Sequence, residues 1–445
     1  MGQGRRWRTL SQNESEARIM DRLIAILRAS QADAWEIRET RTKGWEFYFI
    51  KHQLDQHRVK EVRHVNLTVY KKSEEGKYIG FANAEVYPDD SDEALAKQID
   101  SLIYSASLVK NPVYTLNQPK ESEPFVHETY TVRDISKDFI QLMDELKETE
   151  TEYINSYEIF VNEETVRLIT SEGIDVTETS PSSMMEVVVN AKDEAHEIEL
   201  YRMYRSGTCD ADAVVEDLEK TMRYGRDRLR TVSTMDTGNV PVVFTDGNAV
   251  RIAEFFLDKT DAALVYRRMS SWKKGEPCGE NLSGDKVTLR ALRHLDNSPS
   301  NRAYDREGAP IKDLVLIDEG IVKAYHGNRM FSQYIGNEDS FIVSNFELSG
   351  GTASEEEITA GSYLEAVEFS DFQVDSLTGD IFGEIRLAYW HDGNTVTPVS
   401  GGSVSGNMNE LMKTMRMSRE MKQLAGVRIP AAIRLENVTL SGNGE

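Results

Sequence analysis

Histidine beside glutamate is the pairing a zinc hydrolase places on a helix: one side chain ligates the metal and the other acts as general base on the metal-bound water. The chain has two such pairs, His127-Glu128 and His196-Glu197. Neither is followed by a second histidine three to five residues on, and no histidine lies between His196 and His294. Both pairs sit in strand-like or extended stretches, where side chains alternate between faces and cannot converge as on one helical face. They read as solvated polar positions. Glu254, Asp258 and Asp261 are carboxylates at helical spacing, as a hard-cation site would use. Arg251 and Lys259 among them favour a solvated, charged helix face. Ser405-Gly406-Asn407 forms a glycine turn ahead of a helix, able to hold an anion at the helix N-terminus or, more plainly, to supply a capping asparagine. Met408, Leu411, Met412 and Met415 make a helical stripe that suits core packing or an adaptable binding surface. There is no Gly-x-Ser-x-Gly elbow, P-loop or dinucleotide fingerprint.

The elements that must position these residues follow from periodicity. Ser11-Gln12-Asn13-Glu14 predicts a capping box, with Ile19, Leu23, Ile26 and Leu27 on one helical face. Trp35 and Ile37, Trp45 to Ile50, Val65-Leu67-Val69 and Tyr78 to Val86 predict strands. Ser91 caps a second helix with Leu95, Ile99, Leu102 and Ala106 inward. Asn111 to Glu123, with Pro112, Pro119 and the nearby Pro124, predicts an extended connector. A helix over 134–147, four strand-like segments over 152–205 and a long helix over 212–232 complete this half. From Pro241 onward a strand, a helix over 247–266, and then strands and glycine turns are expected. Hairpins are expected at Asp318-Glu319-Gly320 and Asp392-Gly393. The prediction is an α+β fold with two domains: an N-terminal α+β domain over 11–235, an antiparallel sheet with packed helices, and a mainly antiparallel β domain over 236–445. The second domain's helices should be few, one before Arg268 and one after Asn407, with a short helix opened by Glu355-Glu356-Glu357.

Composition narrows the function classes. A chain of 445 residues with 39% apolar content can bury a large core. Its net charge of −23 would repel a nucleic-acid duplex. No apolar run approaches the roughly 20 residues that cross a bilayer. The basic N-terminus lacks the apolar stretch of a secretory signal, and Arg6 sits where a myristoylation start at Gly2 wants Ser or Thr. Cys209 and Cys278, far apart in sequence, form no disulfide framework and fit a reducing, cytoplasmic setting.

Asp305-Arg306-Glu307-Gly308, Leu377-Thr378-Gly379-Asp380 and Ser405-Gly406-Asn407 occur in that order, with Pro241-Val242-Val243-Phe244 before them and Val315 to Tyr325 between. Together these segments resemble the C-terminal half of the TldD/PmbA family, whose active branch consists of zinc metallopeptidases. An older label for that family, modulator of DNA gyrase, implies no gyrase binding. The active branch carries a His-Glu-x-x-x-His helix upstream of its Asp-x-Glu-Gly turn, at a place corresponding to 247–266 here, and a cysteine ligand near its C-terminus. This sequence has neither, since no cysteine follows Cys278. The resemblance therefore implies a non-catalytic PmbA/TldE-type subunit with no cofactor of its own, zinc residing in a TldD-like partner. It implies a heterodimer with that partner or a homodimer, joined through the C-terminal domain around a chamber for unstructured peptides, with no nucleic acid and no membrane. Asp305, Glu307, Gly308, Thr378, Gly379, Asp380, Gly406 and Asn407 are its family-motif positions, either structural or facing the peptide or partner. Phe341, Val343, Phe346, Tyr363, Phe369, Phe372, Phe382 and Trp390 sit in short strands between glycine turns; a β domain of this size can cover many or all of them as core, and an obligate interface would also need such surface. Two other readings remain open: a divergent, self-sufficient homodimeric hydrolase, and a stand-alone peptide-binding scaffold.

Overall fold

The structure, a computed structural model, describes residues 19–123, 125 and 130–442. The expected capping box at Ser11 and the His127-Glu128 pair lie outside these residues.

The N-terminal half is one antiparallel sheet with helices on a single face. Helix α1 (residues 19–29) precedes β1 (Ala34–Ile50), β2 (Gln53–Ser73) and β3 (Tyr78–Glu85). Then come α2 (Asp92–Ser107), β4 (Asn111–Pro112), α3 (Val132–Leu142), β5 (Glu152–Thr170), β6 (Asp175–Lys192), β7 (Glu197–Ser206) and α4 (Ala211–Arg228). The strand order is β4-β3-β2-β1-β5-β6-β7. Because side chains alternate along a strand, the odd-numbered residues of β1 all face the helices. Trp35 and Ile37 pack with Leu67 beneath α1 and α2. Phe47 and Phe49 pack with Ile159 and Val187 beneath α3 and α4. Glu39 lies on the same face between these clusters, 4% exposed, and accepts from Arg41 Nε at 2.8 Å and Arg63 Nε at 2.6 Å. The α2 cap is as expected, Ala94 N donating to Ser91 Oγ at 3.2 Å.

Several boundaries differ from expectation. The segment 152–205 holds three long strands rather than four. α3 begins at Val132 because Thr131 accepts from Asp134 N, and it ends at Leu142. α4 stops at Arg228, and Val232–Ser233 instead forms β8, paired in parallel with a later strand.

The C-terminal half continues with β9 (Gly238–Phe244), α5 (Asp246–Lys259), α6 (Ala262–Tyr266), β10 (Thr288–Leu292), β11 (Leu314–Asp318), β12 (Ile321–Val322) and α7 (Arg329–Tyr334). Next are β13 (Asn345–Ser349), α8 (Glu355–Ile358), β14 (Tyr363–Val374), β15 (Asp380–His391), β16 (Val396–Ser400) and β17 (Ser403–Asn407). It ends with α9 (Met408–Leu411), β18 (Arg416–Met417), β19 (Met421–Leu424), β20 (Val427–Pro430) and β21 (Ile433–Ser441). One sheet runs β12-β11-β10-β13-β20-β19. The other runs β14-β9-β21-β17-β15-β16-β8, and β14 also pairs with β15, so five strands close into a ring. Three pairings are parallel, β13–β20, β14–β9 and β16–β8, and the rest of this half is antiparallel. The whole is an α+β fold, as predicted.

The single helix expected over 247–266 is two helices. Asp261 breaks it with extended backbone and caps α6 by accepting from Ala263 N at 2.7 Å. The helix after Asn407 is a single turn, and α7 adds a helix the sequence did not suggest. The apolar side chains that could serve core or interface are mostly core. Phe341, Phe346, Tyr363 and Phe372 are buried, Val343, Phe369 and Trp390 pack partly buried against the core, and only Phe382 of the eight is exposed, at 49%. Two facing sheets and a closed ring enclose more apolar surface than separate hairpins would.

Candidate functional site

The face of the N-terminal sheet opposite its helices carries the even-numbered residues of β1, β5 and β6. Register sets Arg38, Leu168 and Val176 in one row across the three strands, with Val166 and Glu178 in the next. The turn Asp305-Arg306-Glu307-Gly308 lies against this face. Its shape is fixed by one buried carboxylate: Asp305 Oδ1 accepts from Glu307 N at 2.8 Å and Ala309 N at 2.9 Å, and Oδ2 accepts from Ile342 N at 2.8 Å. Burial raises the Asp305 carboxyl above its ordinary range, against the pull of those three donors. Gly308 has φ +79°, and a Cβ there would stand 2.8 Å from Ile174 Cδ1 and 3.1 Å from Leu168 Cδ2. Glycine is therefore favoured by conformation, and a side chain there would also press on the ends of Ile174 and Leu168.

Glu307 points to the other side of the turn, where its carboxylate accepts from Arg329 N, at the start of α7, at 2.7 Å. Burial raises its carboxyl, and neighbouring Asp305 adds to the shift. Glu36, on β1, is pushed up to about 7 by burial, with the charges of Glu307 and Asp305 contributing and the Tyr70 hydroxyl opposing. Tyr114 is raised by burial and by the same two glutamates. The connector that carries Tyr114 is held by α7 and by the Asp305 turn: Arg329 Nε donates to Thr115 O at 3.0 Å, and Asn117 Nδ2 donates to Glu307 O at 3.0 Å.

Between sheet and turn is a cleft of about 170 Å³, lined by Arg38, Arg302 and Arg306 on one hand and by Val166, Leu168, Val176, Ile311 and Ile342 on the other. Arg38 Nη1 donates to Arg306 O at 3.4 Å. Arg302 is held by the carbonyls of Pro299 and Asn301 and lies 3.7 Å from Glu164. Glu178 Oε1 accepts from Ala303 N at 2.7 Å. Burial pulls the Arg38 guanidinium below its ordinary pKa, with Glu164 and Asp305 opposing and Arg302 and Arg306 adding to the fall.

The other two motifs meet elsewhere. Asp380 pairs with Asn407, and Ile381 with Gly406, where β15 and β17 adjoin. Asn407 Nδ2 donates to Thr378 O at 3.0 Å and to Asp380 Oδ1 at 2.8 Å, while Asn409 Nδ2 reaches the same Thr378 carbonyl at 3.0 Å. Gly379 allows the knot to close, with φ +87°. The hydrogen bond from Asn407 holds the Asp380 carboxyl below its ordinary range. Among the described residues no hydrogen bond or ion pair joins this knot to the Asp305 turn, so the eight motif positions form two separate constructions.

Comparison with known proteins gives these motifs a common origin. Residues 237–442 match the model of the PmbA/TldA metallopeptidase C-terminal domain. The second half of the chain is thus a C-terminal domain of the PmbA/TldD metallopeptidase type. A metalloprotease TldD homolog of Buchnera aphidicola is 26% identical over 205 residues, 38% of this chain and 42% of that protein. A metalloprotease PmbA homolog of Haemophilus influenzae is 22% identical over 219 residues, 47% of each. The matches thus span less than half the length of these relatives. The crystal structure of TldE from Thermococcus kodakarensis shares the fold over 95% of this chain and all of its own, with a TM-score of 0.76 at 16% identity. A Thermotoga maritima protein described as a candidate modulator of a DNA gyrase aligns with a TM-score of 0.75, also at 16% identity.

The residues at α5, where the family's metal helix is expected, do not fit a zinc ion. Glu254 accepts from Arg251 Nη1 at 2.9 Å, Asp258 accepts from Ser376 Oγ at 2.5 Å, and Asp261 caps α6. Lys259 is 5% exposed, donates to Leu377 O at 3.2 Å and lies 5.4 Å from the Phe255 ring. Burial lowers its pKa. His326 packs against the end of this helix, its Nε2 hydrogen-bonded to Leu257 O at 3.1 Å, and burial lowers its pKa. Among the described residues no three His, Cys, Asp or Glu side chains are grouped to hold a metal. His196 is a surface residue of the turn before β7, near Asp193. Cys209 and Cys278 are both free thiols.

Sequence reasoning missed Arg38, Arg302 and Glu36. Arg302 and Arg306 flank Asp305 closely enough to be noticed, but Arg38 is 268 residues from its partner Arg306. Its one local signal is a charged residue alternating with Trp35, Ile37 and Glu39 on a strand.

Proposed function

We propose that this chain is a non-catalytic, PmbA/TldE-type subunit of a metallopeptidase assembly, acting on unstructured peptides in the cytoplasm beside a zinc-bearing TldD-like subunit. The observation that carries this reading is α5. Where zinc ligands are expected it presents an ion-paired glutamate, a hydrogen-bonded aspartate and a buried lysine ammonium. A positive charge held among apolar side chains disfavours a second cation in the same place. The match of residues 237–442 to a metallopeptidase C-terminal domain supports an association with proteolysis. No helix among the described residues is long and apolar enough to cross a membrane.

Peptide holding would draw on main-chain pairing. β7 is the last strand of its sheet, with Tyr201 and Met203 exposed at 50% and 41%, and an open edge accepts an extended chain without a side-chain code.

The test is co-expression with a homologue that carries His-Glu-x-x-x-His. A stable heteromer on size exclusion, peptide cleavage only in its presence, and no stoichiometric zinc on this chain alone are expected. A monomer that forms no heteromer, or chelator-sensitive cleavage by this chain alone, would overturn the reading.

A further inference from the structure

We propose that the cleft between the N-terminal sheet and the Asp305 turn binds the terminal carboxylate of a peptide whose last side chain is apolar. The choice of a peptide rests on the subunit reading above; the choice of a carboxylate rests on the cleft itself. In a chain of net charge −23, three guanidinium groups converge on one cavity. Arg38 and Arg306 make no ion pair among the described residues, and Arg38 uses one of its five N–H donors in a long hydrogen bond to Arg306 O. Glu164, 3.7 Å from Arg302, and the lining carboxylates Glu178 and Asp305 offset part of this charge, and a bound carboxylate would offset more.

The size of the cleft favours a ligand over a structural cluster. Aliphatic side chains line it beside the arginines, and the space of about 170 Å³ is close to that of cavities that hold a benzene-sized group. That suffices for one apolar side chain beside its carboxylate. Arginine presents a planar fork that matches a carboxylate in two hydrogen bonds.

Binding of fluorescein-labelled pentapeptides to the full chain tests this by fluorescence polarisation. Three peptides are compared: one ending in leucine with a free carboxylate, the same peptide as its amide, and an amide ending in aspartate. The free acid should bind at least about tenfold tighter than either amide, with the preference fading as salt is raised. Arg38→Gln should weaken binding of the free acid more than that of the amide and so erase most of the difference between them. Equal affinity of acid and amide on the unmodified chain, or equal binding of the aspartate amide, would overturn the proposal whatever the variant does. Failure of every peptide to bind would overturn it too. Heteromer formation with a TldD-like partner, measured separately, then shows whether the subunit reading survives.

Discussion

Asp305 satisfies three backbone N–H groups with two oxygens, and each would be left in a buried site if the side chain were removed. Asp305→Ala should destabilise the chain by about 3 kcal/mol or more in urea unfolding. Asp305→Asn should recover only part of this, because its amide would turn a donor toward one of the same N–H groups. At Gly308 two costs can be separated. Gly308→Ala should lose about 1–3 kcal/mol through the positive φ and the contact with Ile174 Cδ1. Adding Ile174→Val removes that carbon, so the double variant should regain the steric part and keep the conformational part; strictly additive losses would contradict the contact. Glu36 gives a pH signature. Its carboxyl holds a proton more tightly in the folded state, with a value of about 7 against an ordinary 4.5. Stability therefore falls as pH rises from about 4.5 through about 7 and stays at the lower level above. Glu36→Gln should stabilise the protein more at pH 8 than at pH 5, by about 1–2 kcal/mol, in thermal melts at both values. An equal gain at both would refute the burial account.

Strands were legible in the sequence where one face is aliphatic and helix-covered. Val65, Leu67 and Val69 alternate in plain view, and so do Met185, Val187 and Val189. β1 was visible only at its ends, Trp35-Ile37 and Trp45 to Ile50, because its middle is polar. That middle is held by Glu39 between Arg41 and Arg63 rather than by apolar packing, a long-range ion cluster that no local pattern announces. The break between α5 and α6 had a local cause, the Asp261 cap, hidden because apolar residues continue on both sides. Of the candidate site, the motif turns were legible as turns. Their convergence was not, since Asn407 and Thr378 are 29 residues apart and Arg38 lies far from either. The Asn407 knot is testable as an element. Asn407→Ala removes two donated hydrogen bonds and the acceptor for Asn409 N. Hydrogen exchange over 375–380 and 407–411 should quicken about tenfold while β1 and β5 are unchanged. Unaltered exchange in those two segments would mean that the knot does not hold the turn.

At the scale of the molecule, the halves are joined at several places besides the Asp305 turn. α4 packs on the N-terminal sheet and reaches the other half through Lys220 to Asp246 at 3.0 Å and Tyr389 to Asp227 at 2.8 Å. Arg202 on β7 pairs with Glu368 on β14. The connector after β4 runs along α7, where Arg329 and Gln333 hold Thr115. Arg329→Ala should leave the core stable yet make residues 112–123 several-fold more susceptible to limited proteolysis; unchanged cleavage would show that the proline-rich segment needs no such clamp. The strand ring has a consequence for the order of assembly. Its first strand, β9, pairs with its last, β21, with Gly238 opposite Leu440, and β21 also pairs with β17. During synthesis β9 waits about 190 residues for that neighbour, at the ribosome's pace of seconds per few tens of residues. The N-terminal sheet has all its strands long before. Ribosome-stalled chains ending before residue 433 should therefore carry a protease-resistant N-terminal half and an open, chaperone-accessible C-terminal half, and release of the final nine-residue strand should close it in one step.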